Sequence, residues 1–230
     1  MTIKENLERV GERIARAAAR TGRDAAEITI VAVAKTHGPE VVTEALEAGI
    51  NDVGENKVQE FLAKADAVKL PCRWHLVGHL QTNKINKIIG RFALIQSVDS
   101  LRLAEHLSRA GRNAQVATDI FLEVNTSGEE SKYGLKPEET ARTCELIAKL
   151  ANLRIRGLMT VGPFVSDVSV MAAAFARLRR LKEEIAAAHF ENVSMEHLSM
   201  GMTDDFEIAI AEGSTMVRLG RVLFGERKAG

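Results

Sequence analysis

Lys35 ends the most apolar strand-like run of the chain, ITIVAVAK at residues 28–35. Burying a lysine amine costs free energy unless the amine is neutral, paired or covalently modified. A segment rich in Gly, Ser and Thr lies far downstream, LSMGMTDDFEIAIAEGSTMVRLG at residues 198–220. Small residues at turns let backbone amides approach an anion closely. Together, the amine and the anion-binding segment suggest a phosphorylated aldehyde that is held as a Schiff base.

The composition argues against several classes of function. The chain of 230 residues carries 31 basic and 31 acidic side chains, so it has no net charge to attract nucleic acid or anionic membranes. No segment approaches the ~18 apolar residues that span a bilayer, and residues 1–20 are amphipathic, unlike a signal peptide. Cys72 and Cys144 lack motif spacing and are predicted to be reduced core residues. We therefore expect a cytoplasmic globular protein that binds neither nucleic acid nor membranes.

Strand-like and helix-like segments alternate along nearly the whole chain. Strands are predicted at 28–35, 50–54, 73–78, 93–98, 119–125, 154–160, 194–200 and 215–219. Helices are predicted at 1–20, 39–48, 57–68, 82–89, 101–110, 137–150, 171–189 and 203–213. Pro39 and Pro137 favour helix starts, Asn56 is a candidate cap, and Gly111 is a candidate helix stop.

The spacing of these elements predicts an α/β fold. Eight strands that are separated by helical crossovers form parallel sheets. In a chain of this length they favour a single-domain (β/α)8 TIM barrel over residues 1–230, with an open doubly wound sheet as the alternative. Too few residues follow the last strand for a full eighth helix. The extra N-terminal helix is therefore expected to cover part of that surface.

The polar residues lie where such a barrel places functional groups. Functional side chains gather at the carboxyl ends of barrel strands, and phosphate often binds after strands seven and eight. The candidates at those ends are Lys35, Glu55, Asn56, His79, Gln81, Asn125, Thr160, Ser199 and Arg218. Gly220 and Arg221 follow directly and offer two backbone amides.

Each of these residues also has a simpler interpretation. Lys35 could be a solvated boundary residue, Ser199 and Gly220 could be turn residues, and Arg218 could form an ordinary ion pair with Glu196 or Asp205. No His or Cys cluster predicts a metal site. The spacing alone favours a phosphate-bearing ligand. It leaves open both pyridoxal 5'-phosphate (PLP) and a sugar phosphate that is bound by a Schiff-base aldolase.

Seven segments, in order, resemble the pyridoxal phosphate homeostasis protein family. They are VAVAKTHG (31–38), VGENKVQE (53–60), WHLVGHLQTNK (74–84), VNTSGEESKYGL (124–135), IRGLMTV (155–161), residues 198–220 and LFG (223–225). Members of this family are single-domain PLP-binding barrels similar to the N-terminal domain of alanine racemase. The resemblance covers nearly the whole chain.

The resemblance implies a set of residues that bind PLP. It implies an internal aldimine on Lys35, a phosphate site around Ser199, Gly220 and Arg221, and Arg218 beside the pyridine nitrogen. Relatives commonly carry a small hydroxyl residue at the position of Arg221. The Arg221 guanidinium is therefore expected either to contact the phosphate or to point outward.

Three weaker candidates are implied beside the cofactor ring: Asn56, His79 and Met200. Two of the matched segments vary at neighbouring positions. Lys57 occupies a position where an aromatic residue is frequent in relatives, and the position of His79 also accommodates proline. The resemblance therefore supports the ring-side residues less strongly than it supports Lys35.

The resemblance also implies a carrier of PLP, which buffers the reactive aldehyde and delivers it to apo-forms of PLP-dependent enzymes, without strong catalytic activity. The related racemase completes its site with a tyrosine from a further domain of its partner subunit. Here the only tyrosine is Tyr133, in a charged loop, and the sequence ends at Gly230. We therefore expect a monomeric carrier, with a weak PLP-dependent amino-acid racemase as the alternative.

Overall fold

Eight parallel strands close into a barrel in a computed structural model that describes residues 1–225. The strands are β1 (Thr29–Val33), β2 (Asp52–Glu55), β3 (Arg73–Leu76), β4 (Leu94–Val98), β5 (Thr118–Glu123), β6 (Leu153–Met159), β7 (Val193–Ser199) and β8 (Met216–Leu219). They pair in chain order, and β8 pairs with β1. This topology confirms the predicted (β/α)8 barrel and excludes the open sheet. The last five residues of the predicted 1–230 domain lie outside the described residues.

Helices precede β1, connect successive strands and follow β8. They are α1 (Ile3–Ala19), α2 (Pro39–Glu47), α3 (Val58–Lys64), α4 (Leu101–Ala114), α5 (Pro137–Ala148), α6 (Val168–Ala187), α7 (Phe206–Ala211) and α8 (Arg221–Phe224), and a 3-10 helix, Thr82–Lys87, connects β3 to β4. Pro39 and Pro137 occupy first-turn positions as predicted. The segment predicted as a helix from residue 203 becomes helical only at Phe206.

The predicted roles of Asn56 and Gly111 at helix ends were wrong. The cap of α3 is Lys57 rather than Asn56, and Lys57 makes no side-chain capping hydrogen bond. Helix α4 does not stop at Gly111 but continues to Ala114. A Cβ at Gly111 would lie 2.8 Å from the carbonyl oxygen of Val116. The glycine therefore permits close backbone packing rather than ending the helix.

Helix α1 covers the part of the barrel beside β8, as expected. A capping box between Thr2 and Glu5 fixes its start. Its apolar face, which includes Val10 and Ile14, forms a buried cluster with α7, β8 and α8. Because α8 has only four residues, this cluster shields apolar surface that α8 alone would leave exposed to water.

The core has two layers. Inside the barrel lie Val31, Leu94, Phe121, Met159 and Met216, and a larger apolar layer separates the sheet from the helices. Cys144 is buried, Cys72 is half-buried, and both are free thiols. Burial raises the pKa of each thiol to about 12, so neither is an activated nucleophile. Within residues 1–225, no helix combines the length and hydropathy that crossing a bilayer requires.

Candidate functional site

Lys35 lies in a turn just past the end of β1. The strand ends at Val33, two residues earlier than predicted, and Lys35 is half-buried. The next residue, Thr36, has φ of 69°, a left-handed conformation that is uncommon outside glycine. Its amide donates to Glu60 Oε2 over 2.9 Å. This hydrogen bond from α3 helps to hold the turn in its unusual conformation.

Lys64 of α3 holds the same turn on both sides of Lys35. Its Nζ donates to the carbonyl oxygens of Ala34 (3.0 Å) and His37 (2.6 Å). The same atom lies 2.8 Å from Glu55 Oε1 in a buried ion pair. All three N–H donors of the ammonium therefore have acceptors nearby. Lys64 links the turn that carries Lys35 to the end of the neighbouring strand β2.

The Glu55 carboxylate has little other support. Both of its oxygens are buried, and neither forms a well-aligned hydrogen bond within residues 1–225. Burial raises the pKa of Glu55, although Lys64 opposes the shift. The ion pair with Lys64 is therefore the main interaction that favours the ionised form of this carboxylate.

Arg218 projects from β8 into the barrel, where it is 5% exposed. Its Nη1 donates to Ser199 Oγ (2.7 Å) and its Nη2 donates to the carbonyl oxygen of Thr160 (2.8 Å). Burial lowers the pKa of Arg218 to about 10, so the guanidinium is still cationic at neutral pH. These two bonds use two of its five N–H donors.

The simpler interpretation of Arg218, as half of an ordinary ion pair, was wrong. Glu196 instead accepts from Arg156 over 3.2 Å on the outer surface. Asp205 accepts from the amide of Met202 and acts on Arg218 only through its charge. The guanidinium is held by a hydroxyl and a carbonyl, which leaves it with a net positive charge.

Ser199 and Met200 lie on opposite faces of the sheet. The Ser199 hydroxyl is buried inside the barrel, where it donates to Gln96 Oε1 (2.6 Å) and accepts from Arg218. Adjacent residues of a strand alternate between faces, and Met200 is buried in the outer apolar layer. The structure therefore brings Ser199 to Arg218 but turns the Met200 side chain away from the barrel interior.

The residues after β8 offer backbone amides. Within residues 1–225, the amides of Gly220 and Arg221 donate to no backbone or side-chain acceptor. The Arg221 side chain is exposed and forms an ion pair with Asp204. Of the two orientations expected for the Arg221 guanidinium, the structure shows the outward one.

His79 lies at the exposed rim of the same end of the barrel. Its Nδ1 is 3.0 Å from Asp99 Oδ2, and its ring stacks on Tyr133 with centroids 4.0 Å apart. The loop that carries Tyr133 folds around Asn125, whose side chain donates to the carbonyl oxygen of Glu129 (2.8 Å). The only tyrosine of the chain is thereby held at the rim of the barrel.

Asn56 directly follows β2 and is half-exposed at the same rim. Gly78, after β3, packs against its backbone, because a Cβ at Gly78 would lie 2.3 Å from the Asn56 carbonyl oxygen. The loops after β2 and β3 are therefore in close contact. This contact brings Asn56 and His79 to neighbouring parts of the rim.

Sequence reasoning missed four polar residues that bear on this site: His75, Gln96, Lys64 and Glu123. His75 and Gln96 stand within otherwise apolar strand segments, which was the available signal. Glu123 ends β5 and is 7% exposed. Burial, together with the charge of Asp99, raises its pKa to about 7, although Arg218 opposes the shift.

Comparisons with known proteins define the class of this barrel. The sequence model of the family described as "Alanine racemase, N-terminal domain" matches residues 6–228. An alanine racemase of Clostridium difficile has the same fold, with a TM-score of 0.76 at 16% identity over 99% of this chain and 57% of that chain. The chain is therefore a barrel of the alanine racemase N-terminal class.

Closer relatives specify the family within this class. The pyridoxal phosphate homeostasis protein of Aquifex aeolicus is 42% identical over 229 residues, which are 99% of this chain and 100% of the relative. PipY of Synechococcus elongatus, whose structure was determined with PLP bound, has a TM-score of 0.81 at 34% identity, over 94% of this chain and 100% of PipY. The chain belongs to the pyridoxal phosphate homeostasis protein family, which confirms the resemblance.

We expect Glu123→Gln to remove a pH dependence of stability. The folded protein keeps the Glu123 proton up to about pH 7, whereas the unfolded chain releases it near its ordinary pKa of 4.5. The folded state therefore binds more protons in this window, and the free energy of unfolding falls as the pH rises, by up to about 3 kcal/mol. Urea unfolding from pH 4.5 to 8 measures the difference between the two proteins.

The advantage of Glu123→Gln should grow with pH up to about 7 and then level off. Glu105→Gln, which changes an exposed residue on α4, is the matched control and should track the wild type. A constant difference between Glu123→Gln and the wild type across this range would contradict the raised pKa.

We expect Lys64→Met to destabilise the fold by about 3–5 kcal/mol, because it leaves the Glu55 carboxylate buried without its cation. The double variant Lys64→Met/Glu55→Gln should recover most of this loss, since it buries no unpaired charge. Urea unfolding at pH 7 measures both. If the double variant were as unstable as Lys64→Met, the loss would come from the turn and its packing rather than from the charge.

Proposed function

We propose that this chain binds PLP and functions in PLP homeostasis, with Lys35 as its attachment point. One observation carries the proposal. A half-buried amine, a buried cation and two backbone amides that have no acceptor among residues 1–225 lie on the neighbouring strands β1 and β8, or directly after them. These three groups match the aldehyde, the ring nitrogen and the phosphate of PLP.

The register of the two strands orders these groups. Arg218 pairs with Val31, four residues before Lys35, so the guanidinium lies deeper in the barrel than the amine. Gly220 follows two residues after Arg218. A ligand that is attached to Lys35 would therefore point its ring nitrogen inward to Arg218 and its phosphate to the residues that follow β8.

The donors after β8 fit a phosphate. The amides of Gly220 and Arg221 donate to no acceptor in the described part of the chain, and a phosphate dianion accepts several such bonds. Because the Arg221 guanidinium pairs with Asp204, we assign only its backbone to the phosphate. We do not assign the Ser199 hydroxyl to the phosphate. Inside the barrel, this hydroxyl already donates its proton to Gln96 and accepts a hydrogen bond from Arg218.

Asn56 and His79 complete the proposed site at the rim. Asn56 follows β2, the neighbour of β1, and His79 follows β3, the next strand along the sheet; both lie at the same end of the barrel as Lys35. We propose that they border the cofactor ring. The Met200 side chain is not included, because it is buried on the outer face of the sheet.

The charge of Arg218 supports a carrier rather than a strong catalyst. Bound PLP supplies an electron sink, which works best when the ring nitrogen is protonated and faces a carboxylate. Arg218 can only donate and remains cationic, so it disfavours a proton on that nitrogen. The names of the end-to-end relatives, as homeostasis proteins, point the same way. Delivery of PLP to apo-enzymes and a monomeric state remain predictions.

Lys35→Ala should abolish covalent attachment of PLP while the fold persists. Borohydride reduction of the PLP-treated protein, followed by peptide mapping, should find one pyridoxyl group on Lys35 of the wild type and none in the variant. Lys57→Ala removes an exposed lysine near the same rim and should keep the label. Undiminished labelling of Lys35→Ala would refute the assignment, and an unlabelled wild type would return the Schiff-base aldolase to consideration.

The loaded protein should exchange the α-proton of L-alanine for deuterium no faster than Lys35→Ala with free PLP. The reason is that the cation at Arg218 weakens the electron sink. Proton NMR in deuterated buffer, at equal PLP concentrations, measures the rate. Turnover well above that background would make the protein a racemase-type enzyme and would contradict the carrier proposal.

A further inference from the structure

A continuous chain of hydrogen bonds crosses the barrel interior from Arg218 to Asp52. From Ser199 Oγ, which binds Arg218, it runs to Gln96 Oε1 (2.6 Å). Gln96 Nε2 lies 2.9 Å from His75 Nδ1, and His75 Nε2 lies 2.8 Å from Asp52 Oδ1. Five strands, β8, β7, β4, β3 and β2, each contribute one residue. Every member is at least nine-tenths buried.

Arg218 dictates the direction of every bond in this chain. A guanidinium can only donate, so the Ser199 hydroxyl accepts from it and gives its own proton to Gln96 Oε1. The amide group of Gln96 must then face His75, whose Nδ1 accepts. The remaining His75 proton therefore resides on Nε2 and is donated to Asp52. Only one arrangement of protons satisfies all these partners.

Asp52 terminates the chain at the other end of the barrel. Burial alone would raise the pKa of Asp52, but hydrogen bonds from His75 and Arg73 outweigh it and lower the pKa. The Arg73 side chain binds both carboxylate oxygens, at 2.8 and 2.6 Å. A cavity of about 310 Å³ that is lined in part by Asp52, Arg73 and His75 lies at this end. The carboxylate is thus a fixed acceptor.

Gln96 is the member whose removal would separate the two ends. It is fully buried at the middle of the chain of hydrogen bonds, where its Oε1 accepts from Ser199 and its Nε2 donates to His75. Without Gln96 Oε1, the Ser199 hydroxyl has no acceptor for its proton. The lone pair of Ser199 is then no longer held towards Arg218. Thr160 would then be the only other hydrogen-bond partner of the guanidinium among residues 1–225.

We propose that Gln96 is a positioning residue, which acts through Ser199 to aim the Arg218 guanidinium at the ring nitrogen of bound PLP. This inference rests on the proposed function, because it assumes that the cofactor ring points to Arg218. Gln96 itself touches no part of the cofactor. Its effect is on the orientation of the cation that does.

Gln96→Met tests the proposal because methionine keeps the side-chain length and removes both polar groups. The variant should still attach PLP to Lys35, with a dissociation constant raised about tenfold, the value of roughly one hydrogen bond. The visible absorption band of the bound cofactor should also shift, since the environment of the ring nitrogen changes. Ser97→Ala is the matched control. It removes a buried hydroxyl that has no partner within residues 1–225 from the next position of β4, and it should leave both quantities unchanged.

A second substitution distinguishes positioning from general damage to the barrel. In an Arg218→Met background, Gln96→Met should have no further effect on PLP affinity, because the cation that it positions is gone. An equal loss of affinity in both backgrounds would overturn the proposal. So would an affinity and an absorption band for Gln96→Met that match the wild type.

Nitrogen NMR provides a test that does not require PLP. In the wild type, His75 should be protonated on Nε2 alone. The Arg218 guanidinium signal, assigned by its loss in Arg218→Met, should move in Gln96→Met and stay in place in Ser97→Ala. Failure of the wild type to bind PLP would refute the proposed function. The NMR signals would still test the series of hydrogen bonds from Arg218 to Asp52, because they do not depend on PLP. An Arg218 signal that does not respond to Gln96→Met would overturn the inference.

Discussion

The desolvation of one guanidinium governs the polar organisation of the barrel interior. Arg218 is buried among strands whose other inward residues include Val31, Phe121 and Met216. A buried charge without partners would cost several kcal/mol. Each partner that satisfies it is itself buried and needs a partner in turn, which is why polar residues continue down the barrel until they reach a carboxylate. A single cation near the functional end of the barrel thereby accounts for the polar residues near the opposite end of the barrel.

The turn of Lys35 is supported from the other side of the sheet. Lys64 and Glu60 reach it from α3, outside the barrel, whereas Arg218 is bonded to Ser199 inside the barrel. The backbone of this turn and the Arg218 guanidinium are therefore held by different sets of hydrogen bonds. Changes in the packing of α3 would act on Lys35, the proposed attachment point, whereas changes inside the barrel would act on Arg218, the proposed partner of the ligand ring.

The order of elements and the end of the barrel at which Lys35, Ser199 and Arg218 lie could be predicted from the sequence, because apolar strands and turn residues are local signals. The face of the sheet on which a side chain lies was harder to predict. Ser199 and Met200 are adjacent, and a strand register that no local pattern determines decides which one enters the barrel. Gln96 was missed because its partners, His75 and Ser199, lie 21 and 103 residues away. Such partners become visible only when the barrel closes.

The single tryptophan of the chain, Trp74, lies in β3 and is buried against Phe61, with ring centroids 5.3 Å apart in an edge-to-face arrangement. Its indole is therefore a fluorophore fixed within the same small barrel as Lys35. A ligand that absorbs in the near ultraviolet or violet would accept excitation energy from it over such a short range. The fluorescence of Trp74 should therefore fall when such a ligand binds and recover when it leaves. Binding and release can then be followed in real time without an added label.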